Sequence, residues 1–225
     1  SSYDFEFDTK YCSDDEIKKK IKSWKSAEAF TTDSLNFMKN EIDNWMAKDT
    51  AERKFQHEVL LKCRSILDIE YQVKNEYRID MILSNRNHIV LVENKCGIGA
   101  ISSRQNSTDQ LKPGIRKHYR DFIDLSTDAE KRIRLIDSVN NIIENKFELG
   151  LMQEKKHYDY DVVIDFLFVL YDYNPRSRTF YNEIEDIIKE FGNNTDRYDT
   201  RVQFIDRDEE IVVDFNSARS IFDYE

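Results

Sequence analysis

The stretch Tyr77–Gly99, YRIDMILSNRNHIVLVENKCGIG, decides the fold. Two apolar runs flank Ser84-Asn85-Arg86-Asn87, whose short polar side chains favour a turn because they can bond to their own backbone. Tyr77–Leu83 and His88–Cys96 therefore read as antiparallel strands, with Tyr71–Lys74 beginning or preceding the first. A four-residue turn over Asn85–His88 sets Ser84 opposite Ile89, Ile82 opposite Leu91 and Asp80 opposite Glu93. Side chains alternate along a strand, so Asp80 and Glu93 share one face, and Lys95, two residues on, joins them. Ile79, Met81, Val90 and Val92 are expected on the opposite face.

Two carboxylates on neighbouring strands repel each other unless something positive lies between them. A hard cation, Mg²⁺ or Mn²⁺, meets that need, taking one or two carboxylates and keeping waters for a substrate. The chemistry that such a site suits is phosphodiester hydrolysis, with Lys95 orienting the attacking water or meeting the charge that develops on the phosphate. The metal-free alternative is that Lys95 pairs with Glu93 or Asp80 as a buried salt bridge.

Outward from the hairpin, helical spacing dominates upstream. Residues 13–25 open with Ser and acids and continue with lysines, a helix start. Thr32–Lys48 and 51–67 read as two more helices, the last with Phe55, Val59, Leu60, Cys63, Ile66 and Leu67 as its apolar positions. Downstream, Cys96–Thr108 reads as a loop and Pro113 as the first turn of a helix to Leu125. Asp128–Phe147 is a helix with Ile133, Ile136, Val139, Ile143 and Phe147 on one face. The apolar run Asp161–Tyr173 indicates a strand buried on both faces at the sheet centre. Thr179–Phe191 is a short helix stopped by Gly192, and 201–205 with 211–215 read as a hairpin. The expected architecture is α/β, a mixed central sheet flanked by helices. Residues 1–50 are expected as an N-terminal helical extension packed on a core domain at 51–225.

Composition bounds the function. Hydrophobic residues make up 40% of 225, enough for a core, and no apolar run approaches the ~18–20 residues that span a bilayer. The polar, acidic first residues do not read as a signal peptide. Three cysteines with no CxxC pair favour reduced thiols and a cytoplasmic setting. The net charge of −10 argues against a broad phosphate-binding surface. Locally, however, Arg104, Lys112, Arg116, Lys117 and Arg120 form a strip suited to a nucleic-acid backbone, or else a solvated helix edge. His118, within that strip, reads as a phosphate contact. No glycine-rich phosphate loop and no histidine metal pair is present.

Asp80, followed by Glu93-Asn94-Lys95 at the end of an apolar strand, resembles the PD-(D/E)XK nuclease superfamily. Ile79-Asp80 stands where that family often has Pro-Asp, and Glu58 matches its upstream helical glutamate. Gln110-Leu111 and then Tyr119 resemble a subgroup with Gln-Leu and a helical Tyr, although the gap here holds Pro113-Gly114 and is longer. A second Glu-Asn-Lys, at 144–146, has helical spacing and no strand partner. The resemblance covers about a third of the chain. It implies a restriction-endonuclease-like sheet and a metal-dependent nuclease acting on DNA rather than RNA, in prokaryotic defence or DNA processing. Asp80, Glu93 and the Asn94 carbonyl would bind Mg²⁺ or Mn²⁺, Glu58 a second metal or a metal-bound water. Lys95 would serve the nucleophile, Gln110 would position backbone or water, and Tyr119 would contact nucleic acid. Activity in a cytosol would be restrained by a partner protein or a homo-oligomer. Two rivals stay open: a catalytically silent fold acting as a protein-binding or assembly module, and an RNase with the same chemistry.

Overall fold

The computed structural model describes residues 15, 19–20, 31–47, 51–73, 76–97, 100–103, 114–192 and 198–224. The chain divides into two compact units, Ser1–Lys54 and Phe55–Glu225. In the first, helix α1 (Thr32–Ala47) begins after Thr31, whose Oγ1 accepts the Ser34 N–H at 3.2 Å and satisfies one open donor of the first turn. The Lys20 ammonium lies over the Phe37 ring, 4.4 Å from its centre. The helix read over 13–25 falls outside the described residues except for Asp15, Lys19 and Lys20, which are helical.

The second unit carries the sheet. Its elements are α2 (Ala51–Lys62, entering the unit at Phe55), β1 (Ile66–Val73), β2 (Tyr77–Asn85), β3 (His88–Cys96), α3 (Ile115–Thr127), α4 (Ala129–Glu148), β4 (Ile164–Tyr171), α5 (Arg178–Phe191), β5 (Thr200–Ile205), β6 (Arg219–Ser220) and a 3₁₀ turn at Ile221–Tyr224. The strands form one open sheet in chain order. β1, β2 and β3 are an antiparallel meander, β4 and β5 run parallel to β3, and β6 returns antiparallel. The fold is α/β with a mixed sheet and flanking helices, as the element order predicts.

β4 is the centre of that sheet. All eight residues of IDFLFVLY are buried, with β3 on one side and β5 on the other. Phe166, Phe168 and Leu170 pack into a layer with Phe122 of α3, Ile136 and Val139 of α4 and Ile184 of α5. Leu167, Val169 and Tyr171 pack on the reverse face with Phe55 and Val59 of α2 and with Val213 and Phe215. A strand with a hydrophobic layer on each face must be apolar almost throughout, and in β4 only Asp165, near its start, is charged; burial of each large apolar side chain contributes about 1.5–3 kcal/mol.

Three differences from the sequence reading have physical causes. Ile66 and Leu67 begin β1 instead of ending α2. The run ILDIEYQV pairs with β2 from Ile66↔Leu83 to Val73↔Tyr77, and that pairing outweighs helical spacing. Ile133 and Phe147 are 43% and 40% exposed, and Leu135 takes the inward place on α4. The hairpin over 201–205 and 211–215 forms only in its first arm. Residues 211–215 are tied to β5 by a side chain: the Gln203 amide donates to the Val212 carbonyl at 2.8 Å and accepts the Asp214 N–H at 3.1 Å. β6 takes the place in the ladder, pairing with Arg201 and Val202. The second Glu-Asn-Lys lies in α4. No described helix is long and apolar enough to cross a membrane. Cys63 and Cys96 are free thiols.

A buried carboxylate joins the starts of the three parallel strands. Asp165, 1% exposed, accepts the Asp199 N–H at 2.8 Å through Oδ1, and its Oδ2 lies 2.6 Å from His88 Nδ1. Asp165→Ala is expected to lower the unfolding free energy by about 2 kcal/mol, because it leaves the half-buried Asp199 N–H without its acceptor as well as removing a charge-assisted bond. Asp165→Asn keeps an acceptor and should lose less than half of that. Urea unfolding of the two variants checks the difference.

Candidate active site

The site lies where the sheet forks. Pairing between β2 and β3 runs Asn85↔His88, Ser84↔Ile89, Leu83↔Val90, Ile82↔Leu91 and Met81↔Val92, the register expected from a four-residue turn. There it stops. β2 continues against β1 as far as Tyr77↔Val73, while β3 continues against β4 as far as Cys96↔Tyr171. Asp80 and Glu93 would form the next pair and stand at the crotch instead. The Asp80 carboxylate bridges it, accepting the Asn94 N–H at 2.9 Å through Oδ2. On β1, Glu70 falls between the pairs Ile69↔Met81 and Tyr71↔Ile79, opposite Asp80, and adopts a left-handed φ of 53° that a non-glycine residue seldom takes. The irregularity turns Ile79 into the same hydrophobic layer as Ile82, whereas Met81, Val90 and Val92 pack in the other. The expectation that Ile79 would share a face with Met81 is corrected by that break in the alternation.

Asp80, Glu93, Asn94 and Lys95 are all buried. Lys95 Nζ donates to Glu93 Oε1 at 2.6 Å, and His118 Nε2, reaching in from α3, is 3.0 Å from the same oxygen. The second contact is at ion-pair distance but off the line of a hydrogen bond. Glu93 Oε2 is buried with no hydrogen-bond partner among the described residues. Desolvation, seconded by the charge of Asp80, pushes the Glu93 carboxyl up to about 8 against the pull of Lys95.

The remaining sequence candidates separate. Glu58 is half-exposed on α2, with Lys62 Nζ at 3.5 Å, and its charge is felt at Tyr171. The structure does not gather it to the dyad: among the described residues no three His, Cys, Asp or Glu side chains are grouped to hold a metal. Gln110, Arg104 and Lys112 lie outside the described residues. Of the basic strip, Arg116 is 3.5 Å from Asp186, Lys117 bonds to Asp121 and Arg120 bonds to Glu190, so each cation has an acid beside it. Tyr119 is not a nucleic-acid contact. Its ring is fully buried among Phe166, Phe191 and Tyr198, because α3 turns its apolar stripe of Ile115, Tyr119, Phe122 and Leu125 into the core.

Sequence reading missed two features. Glu183 of α5 is 1% exposed and accepts the Ser103 N–H at 3.0 Å, pinning the segment that follows β3. A lone acid inside an apolar helix stripe, between Phe180 and Ile184, was the available signal. The same segment receives the start of α3: the Ile115 N–H donates to the Ile101 carbonyl at 2.9 Å and the Lys117 N–H to Ser103 Oγ at 3.2 Å. Gly114 is required at that junction, since a Cβ there would lie 2.4 Å from the backbone of residues 101–103. The place of His118 is the other: read from the sequence as a phosphate contact in the basic strip, it is largely buried beside Glu93. It sits three residues after Ile115 and four before Phe122, on the inward face, and a count along that stripe rather than along the basic run finds it.

Comparison with known proteins adds no relative: no family model, no curated protein and no solved structure matches the chain.

Two predictions follow from this geometry. In chelator, folded Glu93 holds a proton between its unfolded value of 4.5 and about 8 that the unfolded chain has released. Stability should therefore fall by on the order of 4 kcal/mol as pH rises through that window and level off above it, and Glu93→Gln should flatten the profile. Denaturant titrations from pH 5 to 9 measure it. Gly114→Ala is expected to cost about 1–3 kcal/mol, since backbone on both sides of the contact must move apart, read by the same titration at one pH.

Proposed function

We propose that this chain is a metal-dependent nuclease of the PD-(D/E)XK type, hydrolysing phosphodiester bonds. The carrying observation is the Glu93 carboxylate, buried beside Asp80 with Oε2 unpartnered. Two buried carboxylates, one of them with its charged form disfavoured by burial and by the other despite the pull of Lys95 and Arg78, form a site that a divalent cation would complete. Asp80, Glu93 and the Asn94 carbonyl are the groups that would hold Mg²⁺ or Mn²⁺. When bound, such a cation polarises a phosphate and lowers the pKa of an attacking water.

The chain's own residues do the rest. The Asn94 N–H fixes the Asp80 carboxylate. Burial of the dyad keeps bulk water away and strengthens every charge contact inside it. Lys95, anchored at Glu93, holds its ammonium at the edge of the dyad, where it orients a water or meets the charge that develops on a phosphate oxygen. The mixed sheet with flanking helices suits a restriction-endonuclease-like core. DNA as the preferred substrate, and a role in prokaryotic defence or DNA processing, rest on the sequence resemblance.

A second reading has its own observation. Lys95 Nζ already lies on Glu93 Oε1, which is how a catalytically silent ion cluster in a protein-binding module would look. Cleavage separates the two. Purified protein with Mg²⁺ or Mn²⁺ should cut plasmid or linear DNA, and Asp80→Ala, Glu93→Ala and Lys95→Ala should each lower the rate by about a hundred- to a thousand-fold or more while keeping the folded circular-dichroism spectrum. Matched RNA strands assign the substrate. Absence of cleavage on every DNA and RNA form would leave the module reading standing.

A further inference from the structure

We infer that His118 is a positioning residue for Glu93: from α3 it flanks the carboxylate oxygen that Lys95 holds, and leaves Oε2 as the oxygen presented to a cation. This deepens the metal reading above and rests on it.

A glutamate carboxylate turns easily about its last bond, which exchanges its two oxygens. One flexible lysine does not prevent that exchange, because its ammonium can follow either oxygen. The imidazole is different. It is a rigid ring, largely buried, and its Nε2 stands 3.0 Å from Oε1. Lying off the hydrogen-bond line but at ion-pair distance, the ring packs against Oε1, keeping water from it and opposing rotation of the group.

Its place is set by backbone. Gly114 lets α3 approach residues 101–103, the Ile101 carbonyl and Ser103 Oγ receive the first N–H groups of the helix, and Glu183 fixes Ser103 from α5. Ile115 and Phe122, fully or almost fully buried one turn to either side, fix the helix rotation that aims His118 inward. The ring is therefore held by a helix against a strand, two elements whose separation the core determines. Partners that orient a metal-binding group in this way typically contribute 10- to 100-fold to metal affinity.

The test measures Mn²⁺ binding by calorimetry and thermal midpoints in chelator. His118→Ala should weaken Mn²⁺ binding by about 10- to 100-fold, and His118→Gln, which keeps much of the bulk beside Oε1, should restore most of it. In chelator, His118→Ala should lower the midpoint of the wild-type background and change it little in a Glu93→Gln background. Mn²⁺ binding by His118→Ala equal to wild type would overturn the inference, as would an equal midpoint loss in both backgrounds, which is what simple packing gives. Wild-type protein that binds no Mn²⁺ would instead overturn the metal reading, and the chelator comparison would still decide whether His118 acts on Glu93.

Discussion

One hydrogen bond holds the site region together: the Asp80 carboxylate accepting the Asn94 N–H across the gap between β2 and β3. A sheet whose strands part company leaves backbone donors and acceptors facing each other too far apart to pair, and buried backbone groups need partners. Asp80 supplies one from its side chain. The strands can then diverge at a buried position without stranding the amide. The cost is a carboxylate fixed in the interior, and the neighbouring Glu93 answers with a raised pKa. Fold and candidate chemistry are thus one constraint viewed twice. Where the strands separate, buried polar side chains take the place of ladder bonds, and the Asp80 carboxylate is what permits the separation.

The surrounding architecture serves that gap from two sides. β4, buried throughout and apolar beyond Asp165, clamps the far edge of β3 and keeps Glu93, Asn94 and Lys95 in strict alternation. Lys95 and Glu93 consequently point toward α3, while Val92 packs on the opposite layer. On the other side, the left-handed residue Glu70 lets β1 follow β2 as it leaves the sheet. A rigid centre and a bent margin leave the buried acids at the fork between them.

How much of this was legible in the sequence follows from the range of the forces involved. The hairpin register was legible because turn chemistry and alternation are local, and Ser84↔Ile89 and Ile82↔Leu91 pair as read. The central strand was legible because two-sided burial leaves an apolar run broken only at Asp165. The end of the β2–β3 ladder was not, since it depends on the path of β1 and on where β4 holds β3. Nor was the inward turn of Tyr119 and His118. Reading Arg116 to Arg120 as one basic strip treats neighbours in sequence as neighbours in space, and on a helix successive side chains point about 100° apart. The segment 211–215 alternates like a strand and is buried like one, yet side chains of β5, Gln203 and Arg201, and not a backbone ladder, hold it.

That glutamine has a consequence for the protein's behaviour among its own copies. β6 covers only the first residues of β5, and an uncovered strand edge is a template on which another chain can add a strand. The Gln203 amide draws the Val212–Asp214 backbone alongside the remainder. The bond count is small, but the segment stands in the path of an incoming strand, with Asp214 beside the gap and Ile211, Val213 and Phe215 anchored in the core. That margin is thereby guarded by two side chains of β5, Gln203, which imitates a peptide group, and Arg201, which holds the Phe215 carbonyl.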